Sequence, residues 1–219
     1  VLLAMLLIHA NQVVSSDRLL DVLWGDSPPA SGIKALQFHV ASLRDVLNPG
    51  RTGTASTCLQ TRSPGYVLEA ATQDIDVQRF RQLVENAGTV LSYDPVEAQR
   101  WLSEALALWR GPALADFAFA DFAASEMQSL EEERLAASEL LYTAELALDR
   151  HVSVIPRLSS LATEHPYREK LHTLLITALY RSGRQADALE VSQDLRRRLR
   201  DELGLDPSPE IVALESGVL

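Results

Sequence analysis

The stretch LQTRSPGYVLE, residues 59–69, sets Arg62 at the entry to a Ser-Pro-Gly turn, and upstream of it Lys34, Gln37, Phe38, Ser42 and Arg44 recur at helical spacing. Cations of this kind neutralise phosphates, amides and hydroxyls hydrogen-bond base edges, and an apolar ring packs on a thymine methyl. The chemistry on offer is recognition of a polyanion. Bond-breaking chemistry has no comparable support. The five histidines, His9, His39, His151, His165 and His172, show no HxxxH, HExxH or Cys/His spacing, so neither a metal nor another cofactor is expected. A GxSxG elbow, a Walker loop and a GxGxxG turn are all missing from the sequence. Glu164, His165 and His172 could converge, but Pro166 separates them, and a cap or surface role is the better reading. The acidic run Glu131–Glu133 lies in a Leu- and Ala-rich helical segment and is expected to be a solvated face.

Charge decides which part of the chain could meet a polyanion. The 219 residues carry 30 acids and 20 bases, a net charge of −10, which argues against non-specific binding of nucleic acid or anionic membrane by the chain as a whole. Residues 1–73, however, hold five acids and five bases, leaving 25 acids against 15 bases in residues 74–219. Between residues 30 and 66 four bases face one acid, Asp45. The N-terminal third can therefore face a polyanion where the remainder cannot. The 47% apolar content supplies a packed core. The single cysteine, Cys58, excludes an internal disulfide framework, fits a reducing, cytoplasmic compartment, and reads as a small buried hydrophobe. VLLAMLLI at the start is too short to span a bilayer and reads as a core helix, with no membrane partner expected. Val1 lacks a capping residue before it and Leu219 falls inside a helical pattern, as expected of a piece of a longer protein.

The elements that must carry these side chains follow from periodicity and turn signals. Residues 1–10 form an apolar helix broken near Asn11 and Gln12. A second helix starts at the cap Ser15 or Ser16 and stops at Gly25. GDSPPAS, residues 25–31, connects it to a third helix from about Ser31 to Leu47, whose stripe Ile33, Leu36, Val40, Leu43 and Leu47 faces inward. At 100° per residue Lys34, Phe38, Ala41 and Asp45 lie opposite, with Ser31 and Ser42 on one flank and Gln37 and Arg44 on the other. NPGRTGTAS, residues 48–56, is a flexible loop. Cys58–Gln60 and Tyr66–Glu69 read as strands joined by Ser63-Pro64-Gly65, where Gly65 can take positive φ and Tyr66 anchors the return. After Thr72 the texture turns helical. Leu171, Leu174, Leu175, Ala178 and Leu179 make one stripe, Ala188, Ser192, Leu195 and Leu199 the next, and the two helices form a hairpin across Gly183. Val154, Leu158 and Leu161 match Ala188, Ser192 and Leu195 at an offset of 34 residues, the tetratricopeptide period, although an irregular bundle would also allow the pattern.

A helix, a turn, a helix with a partly basic outer face and a hairpin make winged-helix geometry. The third helix fits the major groove, offering Lys34, Gln37, Phe38 and Ser42 to bases and Lys34 and Arg44 to phosphates, while Arg62 projects from the wing. A helix–hairpin unit whose few charges are merely solvated fits the composition equally well.

LLDVLWGDSPPASGIKALQFHVASLRDVL followed by TRSPGY resembles the winged-helix module of the Streptomyces antibiotic regulatory protein family. WRGPALADF, EHPYRE, LITALYRSGRQADALE and ELGLDPSPE resemble the bacterial transcriptional activator domain that follows it in that family. The resemblance runs over essentially all 219 residues. It implies a mainly α protein: a winged helix-turn-helix DNA-binding domain at residues 1–72, then a tetratricopeptide-like helical repeat domain at 73–219. It implies a transcriptional activator, not an enzyme, that binds direct repeats of double-stranded promoter DNA, contacts RNA polymerase and forms a homodimer. It also implies a small β-sheet before Val1, which this sequence lacks. Against OmpR-type winged helices, Lys34, His39, Arg44 and Arg62 fall at DNA-contacting places, whereas Ala41 and Ser42 stand where arginine is frequent, so fewer phosphate contacts are expected. The expected interface is thus Ser31, Lys34, Gln37, Phe38, His39, Ser42, Arg44, Thr61 and Arg62. A competing function of another class is a partner-binding or effector-sensing scaffold built on the acidic helical segment, with only residual DNA binding.

Overall fold

The computed structural model describes residues 1–48 and 58–218, so nearly all of the loop expected over residues 48–56 lies outside the described residues. By its contacts the chain groups into two compact units, residues 1–80 with 109–132, and residues 81–108 with 133–219.

The first unit opens with α1 (Leu2–Ile8), which buries Leu2, Ala4, Met5 and Leu6. Asn11 turns the chain at φ 65, a region that a short amide side chain tolerates better than most. Its backbone N–H donates to Leu68 O (2.8 Å), its Nδ2 donates to Ala70 O (3.1 Å) and its Oδ1 accepts from Ala70 N (3.1 Å). One residue thereby ties the end of α1 to the far end of the hairpin.

A strand that periodicity could not reveal follows, β1 (Val14–Ser15), since two residues show no alternation. Ser15 also caps α2 (Ser16–Trp24), its Oγ accepting from Arg18 N at 3.2 Å, and Gly25 closes that helix at φ 56. Beyond the connector lies α3 (Gly32–Leu47). Its inward stripe is buried at Leu36 and Val40 and half-buried at Leu43 and Leu47, but Ile33 is 49% exposed. Ile33 points roughly 50° from the mean direction of the other four at 100° per residue, which places it on the rim of the stripe.

The hairpin comprises β2 (Leu59–Arg62) and β3 (Gly65–Leu68), with β3 central in an antiparallel sheet of order β1-β3-β2. Arg62 pairs with Gly65 and Leu59 with Leu68, while Val14 pairs with Tyr66 and Ser15 with Gly65. The strands are displaced from the expected ones. Arg62 belongs to a strand, and Ser63-Pro64 alone forms the turn. Gly65 is not at positive φ; it is needed because a Cβ there would lie 1.9 Å from Val14 O. Leu6, Leu19, Leu36, Val40, Leu59 and Tyr66 meet in the core, with Cys58 half-buried at its edge and not enclosed as expected.

Residues 109–132 complete this unit. The Trp109 ring meets Phe80 edge-on at 5.4 Å, and Ala113 N–H donates to Glu131 Oε1 at 2.8 Å. Glu131 is therefore a clamp on the WRGPALADF loop and not a solvated carboxylate.

The second unit is helical. It takes residues 81–90 of α4 (Asp76–Val90), α5 (Pro95–Ala107) and residues 133–147 of α6 (Asp121–Ala147). Here Glu133 holds Arg81 through both its oxygens at 2.7 and 2.8 Å, so this acid, like Glu131, is engaged by another segment. The unit continues with α7 (His151–Glu164), α8 (Glu169–Arg181), α9 (Gln185–Arg198) and α10 (Pro209–Val218). Helices α7 and α9 each have 14 residues and start 34 residues apart. The six matched positions, Val154, Leu158, Leu161, Ala188, Ser192 and Leu195, are all buried. Gly183, at φ 75, turns α8 into α9. A wider helical turn over Leu199–Leu203 follows α9, and Ser208 N then donates to Glu169 Oε2 at 2.7 Å at the start of α10. The fold is thus the expected mainly α one, a winged helix-turn-helix and a helical segment built of hairpins.

Glu164, His165 and His172 do not form a site. Glu164 accepts from Ser160 Oγ at 2.7 Å and His165 ends α7, whereas His172 is buried in the core with Nε2 3.2 Å from Pro166 O. Its Nδ1 has no hydrogen-bond partner among the described residues.

Two predictions follow from this packing. Gly65→Ala should lower unfolding stability by about 1–3 kcal/mol or more in urea titration, since backbone and not a flexible side chain must give way; an unchanged midpoint would refute the close approach. Burial, with Arg198 nearby, holds the His172 pKa below its usual 6.5. The unfolded chain then binds the proton more readily, so the stability tied to this residue is present above about pH 6.5 and lost as pH falls below it. The urea midpoint should fall less between pH 7.5 and 5.5 in His172→Gln than in the parent, and parallel curves would contradict the assignment.

Candidate nucleic-acid interface

Helix α3 presents Ser31, Lys34, Gln37, Phe38, His39, Ala41, Ser42 and Asp45 on its outward side, all exposed. Lys34 makes no ion pair among the described residues. Phe38, 71% exposed, stands at the centre of this face. Its ring is met edge-on by His39 at 5.9 Å, and His39 in turn lies 5.9 Å from Trp24 of α2. The supporting helix thus backs the outer face through a column of three rings. The polar groups here match donors and acceptors of base edges, and Lys34 sits in the first turns, where the helix dipole also favours an anion.

Two of the expected interface residues also bond each other. Arg44 Nε donates to Leu59 O and its Nη2 donates to Thr61 Oγ1, each at 2.9 Å. Both residues belong to the expected interface, and within the chain they hold each other, fixing the hairpin against α3. The cause is angular. Arg44 lies about 40° from the direction of Val40 and 120° from that of Phe38, so it leans toward the sheet. The same sequence pattern that put it on a flank could have signalled this role.

Arg62 is exposed on β2 but paired. Its Nη2 donates to Glu69 Oε1 at 3.1 Å, while Gln60 Nε2 donates to Glu69 Oε2 at 2.6 Å. Gln60 and Arg62, two apart on one strand, share a face, and Glu69 at the end of the hairpin gathers both. Glu69 and Asn11 were not singled out from the sequence. Their signal is long-range, since Asn11 reaches Ala70 across 59 positions.

Residues 75–219 match the family model described as bacterial transcriptional activator domain, and residues 1–68 match that described as transcriptional regulatory protein, C terminal. The chain is 40% identical to transcriptional regulator RedD of Streptomyces coelicolor, covering 94% of this chain and 59% of RedD. It is 35% identical to regulatory protein DnrI of Streptomyces peucetius, covering 99% of this chain and 81% of DnrI. The structure of Mycobacterium tuberculosis EmbR in complex with a low-affinity phosphopeptide superposes with a TM-score of 0.91 at 35% identity, over 99% of this chain and 57% of that one. The chain thus spans well under two thirds of RedD and of the EmbR chain.

The Arg44–Thr61 bond should be detectable without any ligand. In a double-variant cycle, Arg44→Met and Thr61→Val are expected to couple by about 0.5–1 kcal/mol in urea unfolding. Strict additivity would show that the two do not hold each other in solution.

Proposed function

The chain belongs to the bacterial transcriptional activator domain family of transcriptional regulators, and from that membership we propose that it is a sequence-specific activator that binds repeats in promoter DNA and recruits RNA polymerase. The family consists of regulators and not enzymes. The observation that carries the proposal is the exposed outer face of α3, with the hairpin pinned beside it by Arg44. DNA recognition is assigned to residues 1–72, and dimerisation or regulation to residues 73–219. Lys34, Gln37, Phe38 and Ser42 would meet bases and Arg62 a phosphate, with Ser31 and His39 at the margins. Arg44 and Thr61 act by placing the wing. The locally basic stretch supports this reading, since four bases to one acid between residues 30 and 66 set it apart from the acidic remainder. No described helix is long and apolar enough to cross a membrane, and a cytoplasmic place is expected for a protein acting on promoters.

Selection from a random-sequence duplex library tests the first part of the proposal. A recurring motif in two copies should be enriched, and its affinity should fall with salt by about 0.9 logarithmic units per decade for each phosphate neutralised. No enrichment, or a slope near zero, would overturn it. Arg62→Ala should make that slope shallower by about 0.9. Glu69→Gln should act in the opposite direction, strengthening binding about 1.5- to 5-fold, because Arg62 no longer has to leave a carboxylate for a phosphate. With the selected repeats placed upstream of a promoter, run-off transcription by RNA polymerase should rise on adding the chain; unchanged transcript would remove the recruitment role alone.

A further inference from the structure

Phe38 is the member of the α3 face whose side chain has the least to gain from water. It is 71% exposed, and phenylalanine is a poorer helix former than alanine, leucine or lysine, so helix propensity does not account for it. Packing among the described residues does not account for it either, because the one ring contact they give it, the edge of His39 at 5.9 Å, leaves most of the ring open. An aromatic ring left in water is stabilised by whatever apolar group covers it.

The position of the ring narrows what that group is. Lys34 precedes it by about one helical turn, Ala41 and Ser42 follow it, and Gln37 flanks it, all of them exposed. With this face in a major groove, Phe38 occupies the middle of the contact. Among the base-edge groups there, N7, O6 and O4 accept and N4 and N6 donate; the one methyl group, and the largest apolar group, is at C5 of thymine. Phenylalanine can neither donate nor accept a hydrogen bond. Opposite any other base it would strip water from a polar edge and return nothing. The methyl group of Ala41, on the same side of the helix, widens the apolar spot without adding a polar group.

We infer that Phe38 is a specificity-determining residue that reads the C5-methyl of a thymine, making this helix select thymine at one place in each half-site. The inference rests on the DNA-binding role proposed above and adds to it the chemical group that is read. His39 meets the ring edge-on at 5.9 Å and itself lies 5.9 Å from Trp24, which narrows the freedom the ring has to lose on binding. The selectivity is for a methyl group and not for a hydrogen-bonding pattern, which separates it from readout by Lys34 or Gln37.

The test uses the full chain and a duplex selected from a random-sequence library, resynthesised with single thymines replaced by deoxyuridine, which deletes the methyl and keeps every hydrogen-bonding group. For the parent, replacement at one thymine per half-site should weaken binding about fourfold, the effect of one buried methyl-sized group, and the other replacements should do little. Phe38→Ala should bind thymine and deoxyuridine duplexes alike at that position, and Phe38→Leu should retain part of the discrimination. Because Phe38 is exposed and alanine and leucine are better helix formers, both variants should unfold at or slightly above the parent's urea midpoint. A parent indifferent to every replacement would overturn the inference while leaving DNA binding intact. So would a Phe38→Ala variant that still discriminates, since another residue would then read the methyl. Failure of the library to yield any preferred sequence would overturn both this inference and the function it rests on.

Discussion

Backbone meets backbone at Gly65, where a Cβ would lie 1.9 Å from the Val14 carbonyl oxygen, and the first unit is organised around that approach. It lets β3 pair on both sides, with β1 through Tyr66 and Gly65 and with β2 along its whole length. Because β1 leads directly into the Ser15 cap of α2, the same pairing fixes where the helix-turn-helix begins. Because β3 is buried at every position, the hairpin is anchored to the core and does not hang from its own turn. Asn11 repeats the tie at the other end of the hairpin. A side chain at residue 65 would therefore loosen α2, the hairpin and the bed on which α3 lies, all through one contact.

The sequence was informative wherever a structure repeats itself locally. Leu36, Val40, Leu43 and Leu47 reveal α3 by spacing, Ser15 and Gly25 bracket α2, and the 34-residue offset between α7 and α9 survives in six buried positions. The open position of Phe38 also followed from angle alone. What escaped was anything defined by a partner distant in the chain. β1 is too short to alternate, Gly65 has the same letter whether it serves a turn or a close approach, and the acids of the Glu131–Glu133 run look solvated until Ala113 and Arg81 arrive from other segments. Arg44 shows the boundary well. Its charge suggests a phosphate, and only its 40° lean toward Val40 hints at the bonds it makes to Leu59 and Thr61. The family resemblance supplied the order of the modules but not these local bonds.

Electrostatically the face proposed for recognition is sparing. Lys34 is its one cation on the helix among the described residues, Asp45 opposes it near the other end, Arg44 is committed to the hairpin and Arg62 is held by Glu69. Exposed ion pairs such as Arg62–Glu69 contribute little to folding. They matter more for association, because a cation already satisfied gains only the difference between two anions. Selectivity in such an interface leans on apolar and shape contacts more than on accumulated charge.

Arg44 also turns two parts into one tool. With a guanidinium bonded to a backbone oxygen and a hydroxyl of β2 at 2.9 Å each, the gap between helix and hairpin is a fixed opening, like that of a calliper. A duplex bound as proposed would have to offer one groove width between the site of the helix and the site of the wing. Sequences whose grooves are naturally that wide pay nothing to fit, while stiff tracts of another width must be deformed first. Base pairs that no side chain touches would then still be sorted, by the shape they give the double helix.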